Sequence, residues 1–355
     1  MGYRRPSDLP EDLLKTLSTV RVQTNVEEYR LFFSPNKNNK KEQDIFSMML
    51  EGTPEVAPKV SFEEVSATWA TDTYTHLGDG YGPGDPINDV SVIVPRIEKT
   101  KAEQVSRTKK KAEVFTPAWI CNLQNNLADD VVVGKNSFNI PSDDFKTWTA
   151  TKSPVVFTTP GYNWMNYVVE RRLEMCCGEA PYLVSPYDAV SGEVIPVRDD
   201  IGNFQRTGLL DRKLRVVTEN MDLGNFPKNE WHIFAMAAFK NSYGFEWQGD
   251  NLILARLNLL NTYIDYYQDV FNVEPSHENL LEVAEVVSWN IWQMDGLKMT
   301  LPATCDTETC ISCDKKKGKK SRTGHNGKLP VIRYMNGMND FLVIPFEKTV
   351  QGNHS

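Results

Sequence analysis

The stretch that most constrains this chain is Leu173–Asp188, which reads L-E-M-C-C-G-E-A-P-Y-L-V-S-P-Y-D. Apolar residues lead to an acid, Glu174, and then to Gly178; a small residue follows at Ala180, and a fresh apolar run begins. This is how a strand hands over to a helix through a tight turn, with backbone N–H groups left free to meet a ligand. We read it as a cofactor loop.

Two later stretches have the same character. Ser242–Tyr267 predicts a short aromatic strand ending near Glu246, then a helix from about Asp250 with Leu252, Ala255, Leu259 and Ile264 inward. Leu280–Leu297 reads as another strand, ending in an acid at Asp295 and followed by Gly296. Strands alternating with helices imply βαβ units and a mostly parallel sheet. Such sheets bind ligands at the carboxyl ends of their strands, and here those ends carry Glu174–Gly178, Glu246 and Asp295. Upstream, Thr116 is a good helix cap and Pro117 suits the first helical position. Ile120, Leu123 and Leu127 then recur at helical spacing. Phe115 is either a hydrophobic staple or free to point at something else. Further helices are expected over Glu11–Val20, Tyr162–Arg172, Thr207–Met221 and Glu230–Lys240. The third should carry Leu210, Leu214 and Val217 on one face and Asp211, Arg212, Lys213 and Arg215 on the other. Val90–Val94 and Phe341–Phe346 look like strands, and Gly192–Asn203 like a hairpin or insertion.

Charge narrows the partners. With 355 residues and a net charge of −8, the surface as a whole is no polyanion binder. The positive residues are clumped instead, at Arg96–Lys111 and Lys315–Arg322. Each clump fits either a local DNA contact or a solvated face. The six cysteines are expected to be reduced thiols. No run approaches a membrane span and no apolar leader opens the chain, so the expectation is cytoplasmic, with no membrane partner. Cys305-x4-Cys310-x2-Cys313 with His325 downstream offers four zinc ligands, the alternative being a Lys-rich loop with incidental thiols. Asp72, Asp79, Asp85 and Asp89 lack calcium-loop spacing and read as turn residues. His76, His232, His277 and His354 have no acid–nucleophile constellation around them, and no Walker or Gly-x-Ser-x-Gly motif is present. Tyr266–Tyr267 and Trp289–Trp292 read as core.

Three acids and a glycine turn at one sheet edge suit a nucleoside. One acid can accept from ribose hydroxyls and another from an adenine amine. A dinucleotide would want G-x-G-x-x-G, but only Gly178 is glycine and Glu179 opposes phosphate. An S-adenosylmethionine-like ligand fits better.

At these residues the chain resembles the adenine-specific DNA methyltransferases of restriction–modification systems. More closely, it is similar to bacterial reading frames described as restriction endonuclease subunit M. The family's cofactor loop, an acid then Cys-Gly, a small residue and Leu, matches Glu174, Cys177, Gly178, Ala180 and Leu183. Its next motif matches Gly244, Glu246, Ala255, Asn258 and Leu259. Its Phe-Thr-Pro motif matches Phe115, Thr116 and Pro117, and its last segment looks like Met294, Asp295, Gly296 and Leu297. The resemblance covers about Lys111–Leu297. It implies an α/β, Rossmann-like S-adenosylmethionine-dependent methyltransferase fold. A polar extension over 1–60 would precede the cofactor-binding domain at 61–300, and a Cys/Lys-rich element at 301–355 would follow. Phe115, Thr116 and Pro117 would pack on the cofactor, Glu174, Cys177, Gly178 and Ala180 would hold its methionine part, Glu246 the ribose and Asp295 the adenine. Glu replaces the commoner Asp at 174, and Ala the second Gly at 180. The family's Asn-Pro-Pro-aromatic motif, which binds the target amine and stacks on the flipped base, is missing, for the chain contains no Pro-Pro dipeptide. The resemblance therefore implies a cofactor-binding subunit, acting on DNA with a partner chain that carries the catalytic motif. The alternative is a non-enzymatic DNA-binding or interaction module on a degenerate methyltransferase fold.

Overall fold

The computed structural model describes residues 4–24, 62–111, 113–296, 300–304, 331–336 and 340–345. They form a mixed α/β structure. Helix α1 (Glu11–Ser18) leads into the antiparallel pair β1 (Thr19–Gln23) and β2 (Phe62–Ser66), followed by a small hairpin, β3 (Thr73–Tyr74) and β4 (Gly80–Tyr81). Next come α2 (Lys101–Lys111), α3 (Ala118–Val133), the pair β5 (Asn139–Pro141) and β6 (Trp148–Ala150), and α4 (Trp164–Val169). Strand β7 (Arg172–Met175) precedes α5 (Leu209–Asp222) and α6 (Trp231–Lys240). Strand β8 (Ser242–Glu246) precedes α7 (Gly249–Phe271) and α8 (His277–Asn290), which deliver β9 (Ile291–Gln293). A hairpin of β10 (Val331–Asn336) and β11 (Asp340–Pro345) is the last described element. Among the described residues no helix is long and apolar enough to cross a membrane.

The three parallel strands β7, β8 and β9 form the central sheet, in chain order, with Glu174 opposite Gly244 and Phe245 opposite Trp292. Parallel sheets are covered on both faces, and every residue of β8 is buried. Gly244 is required there, because a Cβ would come within 3.2 Å of Ile291 and 3.3 Å of the Cys177 sulfur. Leu252, Ala255, Leu259 and Ile264 of α7 are all buried, at the helical spacing expected. Trp289, Trp292 and Tyr266 are core residues as well. Leu13, Leu17, Val20 and Val22, from the polar N-terminal region, belong to the same hydrophobic core.

Several elements differ from the sequence expectation. Most of Leu280–Leu297 is helix, not strand. Val283, Ala284, Val286 and Val287 are buried at steps of three and four, and the Ser276 side chain caps the start by accepting from the Asn279 N–H at 3.2 Å. Only Ile291–Gln293 is strand. Val90–Val92 is a 3₁₀ turn, nucleated by Asp89, whose carboxylate accepts from the Ser91 N–H. The helix after Phe115 starts one residue later than expected, at Ala118, with Pro117 as its cap residue.

The larger surprises are two helices whose polarity is not what their sequences suggest. Helix α3 turns Asn122, Asn125 and Asp129 inward, while Leu127 and Val131 stand 71% and 80% exposed. The inward polar groups are all used. Asp129 pairs with Arg212 at 2.7 Å and Arg172 at 3.0 Å and accepts from the Tyr167 hydroxyl. Asn125 donates to the carbonyls of Tyr182 and Thr207. Helix α5 is buried on both faces, so Asp211, Arg212, Lys213 and Arg215 lie inside beside Leu210, Leu214 and Val217. Such burial is tolerable only with partners. Arg215 pairs with Glu219 at 2.7 Å, Lys213 donates to the carbonyls of Glu170 and Asn241, and Asp211 accepts from the Ser185 N–H at 2.7 Å. Burial holds the Asp211 carboxyl up at about 6 and the Lys213 amine well below its ordinary range.

Candidate functional site

The loop leaving β7 is held in an unusual backbone path. Cys176, Gly178 and Ala180 have φ of +52°, +56° and +64°, in the left-handed region, which costs an L residue about 1–2 kcal/mol. The path is fixed from several sides. The Cys177 N–H donates to the Phe245 carbonyl at 2.8 Å, the Ala180 N–H to the Cys177 carbonyl at 2.7 Å, and the Gly178 N–H to the Glu246 carboxylate at 2.9 Å. Glu246 also accepts from the Gln248 N–H at 3.0 Å, so the tip of β8 clamps both the loop and the start of α7.

The three expected strand tips converge. Desolvation, and after it the charges of Glu246 and Asp295, push the Cys176 thiol up. A Cβ at Gly296 would sit 3.7 Å from the Cys176 sulfur. The Asp295 N–H donates to the Thr300 carbonyl at 2.9 Å. Phe115 covers the loop; a Cβ at Gly178 would be 3.8 Å from its ring, and the Arg96 guanidinium lies 5.0 Å over the same ring. Phe115 is thus directed at the loop across the sheet edge. Thr116 follows it against Tyr182, and Cys121, one turn into α3, is a fully buried thiol raised by desolvation and by the charges of Glu174 and Asp188.

The acids themselves point mainly at backbone. Glu174 is buried and accepts from the N–H groups of Tyr182 and Leu183, at 3.3 and 3.0 Å, tying the strand to the segment beyond the loop. Desolvation lifts its carboxyl to about 8. Glu246 is shifted up for the same reason. Glu179, expected to oppose a phosphate, turns inward instead: it accepts from the Arg96 N–H at 2.7 Å and from the Tyr187 hydroxyl at 2.5 Å. Asn258 donates to the Glu179 carbonyl and to Tyr187, joining α7 to the loop.

A neighbouring cluster is invisible in the sequence. Two cations of the Arg96–Lys111 clump, Lys99 and Arg107, are buried rather than solvated. Arg107 pairs with Glu113 at 2.6 Å and Asp250 at 2.9 Å, and Lys99 with Asp250 at 3.3 Å, which pins α2 to the first turn of α7. These two cations hold the Asp250 carboxyl far below the usual carboxylate range. The nearest signal in the sequence is the acid Asp250 in the first turn of a long helix. Beside this cluster, a cavity of about 670 Å³ opens between the β3–β4 hairpin and α2.

Among the described residues no cluster of His, Cys, Asp and Glu could hold a metal ion, and Cys305, Cys310, Cys313 and His325 lie outside them. No protein-family model, no curated protein and no solved structure matches the chain.

Proposed function

We propose that this chain is an S-adenosylmethionine-binding subunit of a DNA adenine methyltransferase of a restriction–modification system, built on a Rossmann-like fold and acting with a partner chain that brings the catalytic motif. One observation carries the reading. The strained loop Cys176–Ala180, the tip of β8 at Glu246 and the Asp295–Gly296 turn meet at the carboxyl edge of a parallel sheet, with Phe115 packed over Gly178. Strain of this kind is kept where surroundings over-determine it, commonly at ligand clamps. Three parallel strands neighbouring each other in chain order are also what one half of a doubly wound nucleotide-binding sheet requires.

In this reading Phe115, Thr116 and Pro117 pack against the cofactor; the N–H groups of Cys177, Gly178 and Ala180, expected to be free, are spent within the protein, so the turn offers the cofactor the close approach that Gly178 allows rather than donors. Glu246, whose oxygens retain further lone pairs beyond the Gly178 and Gln248 bonds, takes the ribose hydroxyls, and Asp295 the adenine. Glu174 holds the loop from behind through Tyr182 and Leu183. Zinc at the Cys305, Cys310, Cys313 and His325 positions belongs to the same proposal, as do the DNA contact and a cytoplasmic setting.

Titration calorimetry of the full chain with S-adenosylmethionine tests the cofactor. Binding is expected, weakened at least tenfold by Glu246→Gln. No binding by the wild type, or undiminished binding by the variant, refutes it. A second reading, a DNA-binding or interaction module without cofactor chemistry, is favoured by the fact that Glu174 and Glu246 already serve backbone N–H groups. Salt-dependent DNA binding without cofactor affinity would select it.

A further inference from the structure

The cavity beside α2 has a wall of polar groups, several of them without a hydrogen-bond partner among the described residues. Arg107 lines it although the residue is only 3% exposed. Its Nε and Nη2 donate to Glu113, and Nη2 also reaches Asp250 and Asn251; among the described residues Nη1 has no partner. The N–H groups on that nitrogen are therefore held in a fixed direction by the ion pairs behind them. Ser106 lies on the same helix, and Asp72, Tyr74 and Tyr81 line the hairpin side. Among the described residues the Asp72 carboxylate and the hydroxyls of Ser106, Tyr74 and Tyr81 also have no hydrogen-bond partner.

These groups select a ligand class. Arg107 is balanced by Glu113 and Asp250, while Asp72 and Glu103 add negative charge to the wall, so an anion is disfavoured. A protonated amine can donate a hydrogen bond to Asp72 but has no lone pair with which to accept one from Arg107. A hydroxyl does both. The rim carries a flat apolar face as well. Tyr74 is 71% exposed and its ring lies across Gly80, where a Cβ would be 3.0 Å away. Tyr81 forms a fixed wall, stacked on Trp69 at 5.1 Å. The volume, about 670 Å³, lies within the range of small-molecule sites, roughly 300–1,000 Å³.

We propose that this groove binds a carbohydrate ring, with its hydroxyls between Arg107, Ser106 and Asp72 and its C–H face against Tyr74. The groove neighbours the strand-tip site but is lined by different residues, and the argument for it does not depend on the cofactor reading. Saturation-transfer NMR on the full chain, with D-glucose, D-ribose, adenine and inorganic phosphate as separate probes, tests it. Transfer to the ring protons of at least one sugar is expected. It should fall several-fold in the Asp72→Asn, Ser106→Ala double variant, with an unchanged circular dichroism spectrum; neither side chain has a hydrogen-bond partner among the described residues, so the described fold does not lean on them. A separate Tyr74→Ala variant should lose transfer at the C–H face. No transfer to either sugar overturns the proposal, as does transfer indifferent to the double variant. Adenine or phosphate binding that depends on Asp72 and Ser106, without sugar binding, overturns it too.

Discussion

Glu174 offers a sharp test of how the cofactor loop is held. Its carboxyl is buried behind the loop, accepts from the Tyr182 and Leu183 N–H groups, and is lifted by desolvation from 4.5 to about 8. An acid whose folded value is raised binds its proton more tightly when folded. Its contribution to stability is therefore full below its ordinary value and drains away as pH rises toward 8. Between about pH 6 and about pH 9 the loss comes to roughly 2.5 kcal/mol. Glu246 and Glu179 are shifted in the same direction, and Asp211 is held at about 6, so the wild type has other pH-dependent terms. The Glu174→Gln variant separates them. Gln keeps an oxygen for the loop but cannot titrate, and the weakened acceptor costs about 1 kcal/mol. Urea unfolding of both proteins should show the variant gaining roughly 2.5 kcal/mol on the wild type as pH rises across that window. A stability difference that stays constant within about 0.5 kcal/mol across the window would refute the reasoning, because the carboxyl would then not be desolvated as the geometry requires.

Asp129→Asn should destabilise the fold by about 3 kcal/mol or more in urea unfolding, because it leaves the buried Arg212 guanidinium without its carboxylate. Asn125→Ala should cost about 2 kcal/mol by stranding the Tyr182 and Thr207 carbonyls, whereas Leu127→Ser and Val131→Ser on the opposite face of α3 should each stay within about 0.5 kcal/mol. The reverse ranking in a melting series would mean that the helix is turned the other way. Ala180→Gly, at φ +64°, should raise stability by up to about 1 kcal/mol, and Gly178→Ala, at +56°, should lower it by about 1–2 kcal/mol; equal melting temperatures would show that the loop is not left-handed.

The parts that could be read from the sequence are those governed by short-range rules. Helix α7 declares itself because its apolar face repeats over many turns, and the loop after Glu174 because an acid, a glycine and a small residue fall between two apolar runs. Phe115 could be singled out because it stands just before a helix start, although its approach to Gly178 brings together two places far apart in the chain. Helix α8 looks like a strand in sequence because its apolar positions are dense enough to pass for a buried strand, an ambiguity that periodicity alone does not resolve for such runs. Helices α3 and α5 defeat the polar-outside rule for a different reason. Their inward charges are satisfied largely by residues far along the chain: Asp129 by Arg172 and Arg212, and Arg215 by carbonyls of Phe138 and Thr151. No local pattern records such a pairing. Lys99 and Arg107 are hidden in the same way, because a basic clump looks solvated until Asp250 and Glu113 are placed against it.

The loop conformation itself is the part furthest from the sequence. Gly178 advertises a positive φ, but Cys176 and Ala180 do not, since both residue types disfavour it. The strain at these two positions is maintained by contacts from another strand: the Phe245 carbonyl on Cys177 and the Glu246 carboxylate on Gly178. Loosening either contact should let the loop relax, so the tip of β8 governs the shape of the loop as well as its surroundings. A ligand that drew the Glu246 carboxylate toward itself would therefore act on the loop directly. In the proposed cofactor site, binding of the ribose and the geometry of the glycine turn would then be coupled through one side chain.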